Sequence, residues 1–139
     1  MVEKNRKVEF ASAAWIAVAR RELEDLVHRH GQAGKKFSLC EIFTDAPKHL
    51  DPSGSVAWHF YIDGTTVTVA TGEVEDASVK LRTDYQGVLP QARLFYTAEI
   101  LAERAQQEPG AAFDFVEGDL SLTPDYITEL HNRLAVVTA

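Results

Sequence analysis

The chain has 139 residues, 45% of them hydrophobic and 25% charged, proportions of an ordinary globular protein that exclude extended disorder and fibrous repeats. A folded chain of this length buries roughly 68% of the surface its unfolded form exposes, enough for one core and one domain over residues 1–139. The 21 acidic against 14 basic side chains give a net charge of -7, which repels polyanions and argues against nucleic-acid binding.

The first ten residues, MVEKNRKVEF, contain no apolar run of signal-peptide length, and no later stretch reaches the roughly 18 residues of a membrane span. A cytoplasmic location without stable membrane insertion is expected. Short basic clusters at Lys4, Arg6 and Lys7, at Arg20 and Arg21, and at Lys35 and Lys36 read as solvated surface.

Ser12 is a candidate N-cap, after which Trp15, Ile16, Ala19, Leu23, Leu26 and Val27 recur at helical spacing as far as Gly31, a good stop. Residues 37–43 read as a strand with two possible frames. Either Phe37, Leu39, Glu41 and Phe43 face inward, or Cys40 and Ile42 do. Cys40 is the single cysteine, so no internal disulfide forms, and it reads as a small buried hydrophobe. A polar loop over 44–55 carries Pro47, Pro52 and Gly54.

The next strand, residues 56–62, alternates cleanly, with Val56, Trp58, Phe60 and Ile62 on one face and Ala57, His59 and Tyr61 on the other. Asp63-Gly64 signals a tight hairpin of type I′, and Thr65 to Ala70 returns as its β-branched partner. After a turn over 72–76, Val79, Leu81 and Thr83 alternate with Lys80 and Arg82 in a fourth strand. Three of the four strands are expected to form a meander.

The period then changes. Tyr85 to Tyr96 and Ala98 to Gln107 read as two helical pieces, broken near Pro90 and Thr97, with Leu89, Leu94, Phe95, Ile100 and Leu101 as apolar contacts. Pro109-Gly110 interrupts the chain, Phe113 to Val116 offers a last short strand, and Gly118-Asp119 turns it. Thr123 as N-cap with Pro124 behind it opens a final helix carrying Ile127, Leu130, Leu134 and Val137.

The chemistry-bearing templates are missing: there is no P-loop, dinucleotide fingerprint, Gly-x-Ser-x-Gly elbow or His-Glu-x-x-His. His28 and His30 are spaced i,i+2 and point different ways on a helix, so no metal site is expected. Three polar residues stand out. Glu41, if inward, is a carboxylate whose burial would raise its pKa toward that of a general base. His59 sits beside Tyr61, and His131 shares the apolar flank of the last helix with Ile127 and Leu134, where it could bond a ligand headgroup. No two of these form a recognisable dyad.

The stretch from Phe60 to Gly72, FYIDGTTVTVATG, followed by ASVKLRTD over 77–84, resembles the sterol carrier protein type 2 family, with its Asp-Gly hairpin, Val-Thr-Val strand, glycine and next strand leading to a helix. FDFVEGD over 113–119 resembles that family's returning strand with its terminal Gly-Asp, and the resemblance is strongest over 56–137. Residues 85–107 depart from it, lacking the phrases usual between the fourth strand and the last.

The resemblance implies an α+β fold: a five-stranded, mostly antiparallel sheet covered by helices around an apolar tunnel. It also implies non-catalytic binding or transfer of a sterol, fatty acid or acyl-CoA without a cofactor. Trp58, Phe60, Leu94, Phe95, Ile100, Leu101, Phe113, Phe115, Leu130, His131 and Leu134 are the expected lining. The alternative is a cofactor-free enzyme acting on a steroid- or polyketide-like substrate, with Glu41 as base and His59 or Tyr61 as electrophile. A partner enzyme or a second copy of the chain is a third expectation, with the meander and the 44–55 loop as docking surface.

Overall fold

A computed structural model of the chain describes residues 7–107 and 115–139. The first helix, α1, spans Ala13–His30. Ser12 caps it, its hydroxyl accepting the Trp15 amide at 3.2 Å. Trp15, Ile16, Ala19, Leu23, Leu26 and Val27 form its buried stripe, as their spacing requires. The helix stops at Gly31, where a close approach requires glycine. A Cβ there would lie 2.2 Å from the Gly64 carbonyl oxygen, and Gly31 itself has φ -62°, outside the left-handed region expected of a helix-ending glycine.

Strands β1 (Lys36–Thr44), β2 (Val56–Asp63), β3 (Thr66–Thr71), β4 (Val79–Asp84) and β5 (Phe115–Glu117) form one sheet in the order β3-β2-β1-β4-β5. The meander is β1-β2-β3; β4 leaves it and pairs parallel with β1, while the other pairings are antiparallel. The hairpin differs in detail from expectation. Its loop residues are Gly64 and Thr65, and of Asp63, Gly64 and Thr65 only Gly64 has positive φ, +63°. That pattern belongs to a II′ turn rather than I′.

β1 is central and is covered on both sides, which resolves its two frames. Phe37 and Phe43 are buried on the face under the helices, and Cys40 and Ile42 are buried on the reverse face. Residues 72–78, which carry the chain from β3 to β4, cover that reverse face. Lys80 is held there by Glu73 and Glu75, Tyr61 Oη donates to Asp76 at 2.6 Å, and Ser38 and Ser78 bond each other at 3.1 Å.

α2 spans Tyr85–Ala92, capped by Asp84, and α3 spans Ala98–Arg104, capped by Thr97. The helix expected to run to Tyr96 ends at Ala92. Asn132 takes both peptide groups of Tyr96, accepting from its N–H at 2.7 Å and donating to its carbonyl at 3.2 Å, and His131 Nε2 donates to Leu94 O at 2.7 Å. The Arg93 N–H still bonds Leu89 O at 3.2 Å, and beyond it those bonds take the place of a helical ladder.

The last helix, α4, covers Tyr126–Ala135 and begins later than Thr123 and Pro124 suggest. A 3-10 turn over Leu120–Leu122 precedes it, and Thr123 Oγ1 donates back to Leu120 O at 2.7 Å instead of capping forward. α4 packs against α1, where Arg133 bridges Glu22, Asp25 and Glu129. Its C-terminal end is tied down by Trp15 Nε1, which donates to Thr138 Oγ1 at 3.1 Å. No helix among the described residues is long and apolar enough to cross a membrane.

Candidate functional site

Between the sheet and the helices lies a cavity of about 350 Å³. Leu39, Glu41 and Phe43 of β1, Trp58 and Phe60 of β2, and Leu81 of β4 make its floor. These positions share one face because β1 pairs in register with both neighbours: Glu41 stands opposite Trp58 on one side and Leu81 on the other. Val88, Gln91 and Ala92 of α2, with Tyr96 and Arg104, close one side; Ile127, Leu130, His131 and Leu134 of α4 close another. Phe10 and Trp15 form an aromatic end wall, their rings edge to face at 5.1 Å.

The wall is apolar apart from a few groups. Tyr96 stacks flat on His131, with ring centroids 3.8 Å apart, and the Arg104 guanidinium lies over the other partner of that stack, 4.7 Å from the Tyr96 centroid. Arg104 Nη1 and Tyr96 Oη both donate to Gln91 Oε1, at 2.9 and 3.3 Å. Burial holds the Tyr96 phenol above its ordinary pKa and the His131 imidazole below its own, so at neutral pH both are uncharged.

Glu41 is the acidic member of the wall. It is only partly accessible, and its Oε1 accepts the Trp58 indole N–H at 2.9 Å. Burial pushes its carboxyl up to about 7, against the opposing pull of the Trp58 bond. An acid in such a place keeps its proton where an exposed glutamate has lost it.

The expected lining residues divide. Trp58, Phe60, Leu130, His131 and Leu134 are on the cavity wall, while Leu94, Phe95, Ile100, Leu101 and Phe115 are not. Residues 93–97 are not helical, so helical spacing does not carry Leu94 and Phe95 inward; Phe95 is 51% exposed and Tyr96 occupies the inward place instead. In β5 the alternation turns Val116 to the core and Phe115 outward, beside Arg82 at 4.9 Å. Phe113 lies outside the described residues.

The alternative trio is not brought together. His59 pairs with Cys40 and Tyr61 with Ser38 in the register, one and three positions off Glu41, so both point to the reverse face. There His59 Nδ1 donates to Gly72 O at 2.8 Å and Tyr61 is engaged by Asp76. Sequence reading missed Tyr96, Gln91 and Arg104. Helical spacing could not flag them, because they meet through the irregular 93–97 segment.

A second, open depression of about 830 Å³ lies where the end of α1, the β2–β3 turn and the start of α4 converge. Its rim mixes Lys35 and Lys36 with Asp125 and Glu129. Among the described residues, no group of three or more His, Cys, Asp and Glu side chains could hold a metal ion.

No protein-family model matches the sequence, and no curated protein does. Solved structures do. The crystal structure of sterol carrier protein 2 superimposes with a TM-score of 0.54 at 20% identity, over 94% of this chain and 100% of that one. A UbiJ-SCP2 ubiquinone synthesis protein gives 0.43 at 15% identity, over 88% of this chain and 91% of that one. The inverting sec-alkylsulfatase Pisa1 from Pseudomonas sp. gives 0.40 at 14% identity, over 84% of this chain and 16% of that one. In fold, an α+β arrangement of one five-stranded, mostly antiparallel sheet covered by helices, the chain is sterol carrier protein 2-like.

Proposed function

We propose that the chain binds, and carries without covalent change, one hydrophobic small molecule in the cavity between its sheet and helices. The observation that carries this reading is the cavity itself: an apolar hollow of about 350 Å³ with a few convergent polar groups, the usual make-up of a small-molecule site. Each Å² of ligand surface taken from water contributes roughly 25 cal/mol, so affinity needs a lined hollow more than reactive groups. The likeness of fold to sterol carrier protein 2 supports the reading.

The mostly apolar wall with its few polar groups at one side suits a ligand with an apolar body and a single polar end. The expected result is that organic extracts of the purified protein contain a co-purifying amphiphile in near-equal amount, and that 1-decanol binds saturably with one site. Extracts free of lipid together with no saturable binding of 1-decanol or decanoate would refute it. Recovery of the bound molecule in altered form would favour an enzyme instead.

A further inference from the structure

Glu41 is an acid set into an otherwise apolar sheet floor, between Trp58 on β2 and Leu81 on β4. Its structural duty accounts for one oxygen. The indole N–H of the buried Trp58 needs an acceptor, and Glu41 Oε1 supplies it at 2.9 Å. The other oxygen, Oε2, has no hydrogen-bond partner among the described residues. It is also not sealed off, since no buried side-chain oxygen or nitrogen there lacks a partner, so Oε2 is reached through the cavity that Glu41 lines.

Resting on the binding role above, we propose that Glu41 Oε2 seats the polar end of the ligand. The neutral carboxyl donates a hydrogen bond to an uncharged acceptor oxygen, so the ligand head is a carbonyl group, as in a ketone, aldehyde or ester, rather than an anion. The geometry fixes the direction of the bond. With Oε1 accepting from Trp58, the acid proton belongs on Oε2, where it points to the ligand and not into the protein. A carboxylate ligand would set a second negative group against Glu41 in a water-poor site and would have to share its proton.

The groups that face Glu41 leave it as the switch. β2 and β4 offer Trp58, Phe60 and Leu81, none of which titrates, and α2 offers Gln91. Tyr96 and His131 are the titratable groups on the opposite wall; burial raises the Tyr96 pKa and lowers that of His131, and Arg104 is the cation, committed to Gln91 and the Tyr96 ring. Burial and the Trp58 bond alone set the Glu41 carboxyl near 7. Binding of a neutral head therefore follows the proton at Glu41, and Glu41→Gln separates that proton from the one on His131.

The test is calorimetric or Trp-fluorescence titration with 2-decanone, whose carbonyl only accepts, and decanoate at pH 6 and pH 8, on wild type and Glu41→Gln. The protonated fraction of a group titrating near 7 falls about tenfold between those pH values, so 2-decanone is expected to bind wild type about tenfold more weakly at pH 8. Glu41→Gln keeps an N–H donor and an acceptor for Trp58, so it should bind 2-decanone alike at both. Wild-type affinity for 2-decanone that is flat with pH, an unchanged pH profile in Glu41→Gln, or decanoate bound as tightly as 2-decanone at pH 8 overturns the assignment while leaving the cavity a binding site. Failure of both probes to bind at either pH, together with extracts free of lipid, overturns the binding role itself. The wild-type profile stands alone if the variant folds poorly.

Discussion

Replacing Glu41 by Gln should make the protein more stable, and only above the acid range. The folded carboxyl is held near 7 against 4.5 when unfolded, so the native state binds its proton more tightly. Below pH 4.5 both states are protonated and the residue costs nothing. As pH rises from 4.5 to 7 the unfolded chain releases the proton while the native one retains it, and native stability falls. Above 7 the loss is complete, at most about 3 kcal/mol for a shift of this size. Gln imitates the neutral acid and escapes that loss. Urea denaturation followed by Trp15 and Trp58 fluorescence reads it directly. For an m-value of about 2 kcal/mol/M, the Glu41→Gln midpoint should sit about 1.5 M above wild type at pH 8 and coincide with it near pH 4. Equal midpoint differences at pH 4 and pH 8, or a variant less stable than wild type at pH 8, would show that Glu41 does not hold its proton more tightly in the native state.

Other perturbations have definite outcomes. Asn132→Ala removes both bonds to the Tyr96 backbone and should cost about 1–3 kcal/mol, with faster hydrogen exchange at the Tyr96 amide. Gly31→Ala drives a Cβ into the Gly64 carbonyl and should lower stability by about 1–3 kcal/mol in chemical denaturation, although Ala is the better helix former. Arg133→Ala breaks a partly exposed network between α1 and α4; a loss of about 1 kcal/mol that shrinks in high salt is expected from melts at two ionic strengths.

Much of the fold was legible because period and turn chemistry agreed locally. The Ser12-capped stripe of α1 and the alternation of residues 56–62 each admit one burial pattern, and Asp63-Gly64 placed the hairpin even though its turn proved II′. The resemblance to the sterol carrier protein type 2 family anticipated the five-stranded sheet. What escaped was long-range. Whether β4 joins β3 or crosses to β1 is decided by residues 72–78 covering the reverse face, and nothing in the β4 alternation announces it. For the same reason both frames of β1 held some truth.

The cavity was legible only in part. Strand residues such as Trp58 and Phe60 reach it by simple alternation, and Leu130 and Leu134 by helical spacing. Leu94 and Phe95 did not, because Asn132 and His131 hold 93–97 out of helical form and bring Tyr96 inward. Glu41 was visible as an anomaly on an apolar face, but its bond to Trp58 depends on a cross-strand register that one strand alone does not reveal.

If the hollow between sheet and helices holds the ligand, filling it must remove the site. Ala92 lies on its wall at the end of α2, on a different element from Glu41 and Trp58, so Ala92→Trp fills the space while leaving both of those residues in the sequence. Titration of wild type and Ala92→Trp with 1-decanol at pH 6 should show one saturable site in wild type. In a variant that remains folded by circular dichroism, that site should be lost or weakened at least about tenfold, the equivalent of about 1.4 kcal/mol. Undiminished binding in the folded variant would mean that the ligand does not occupy this hollow.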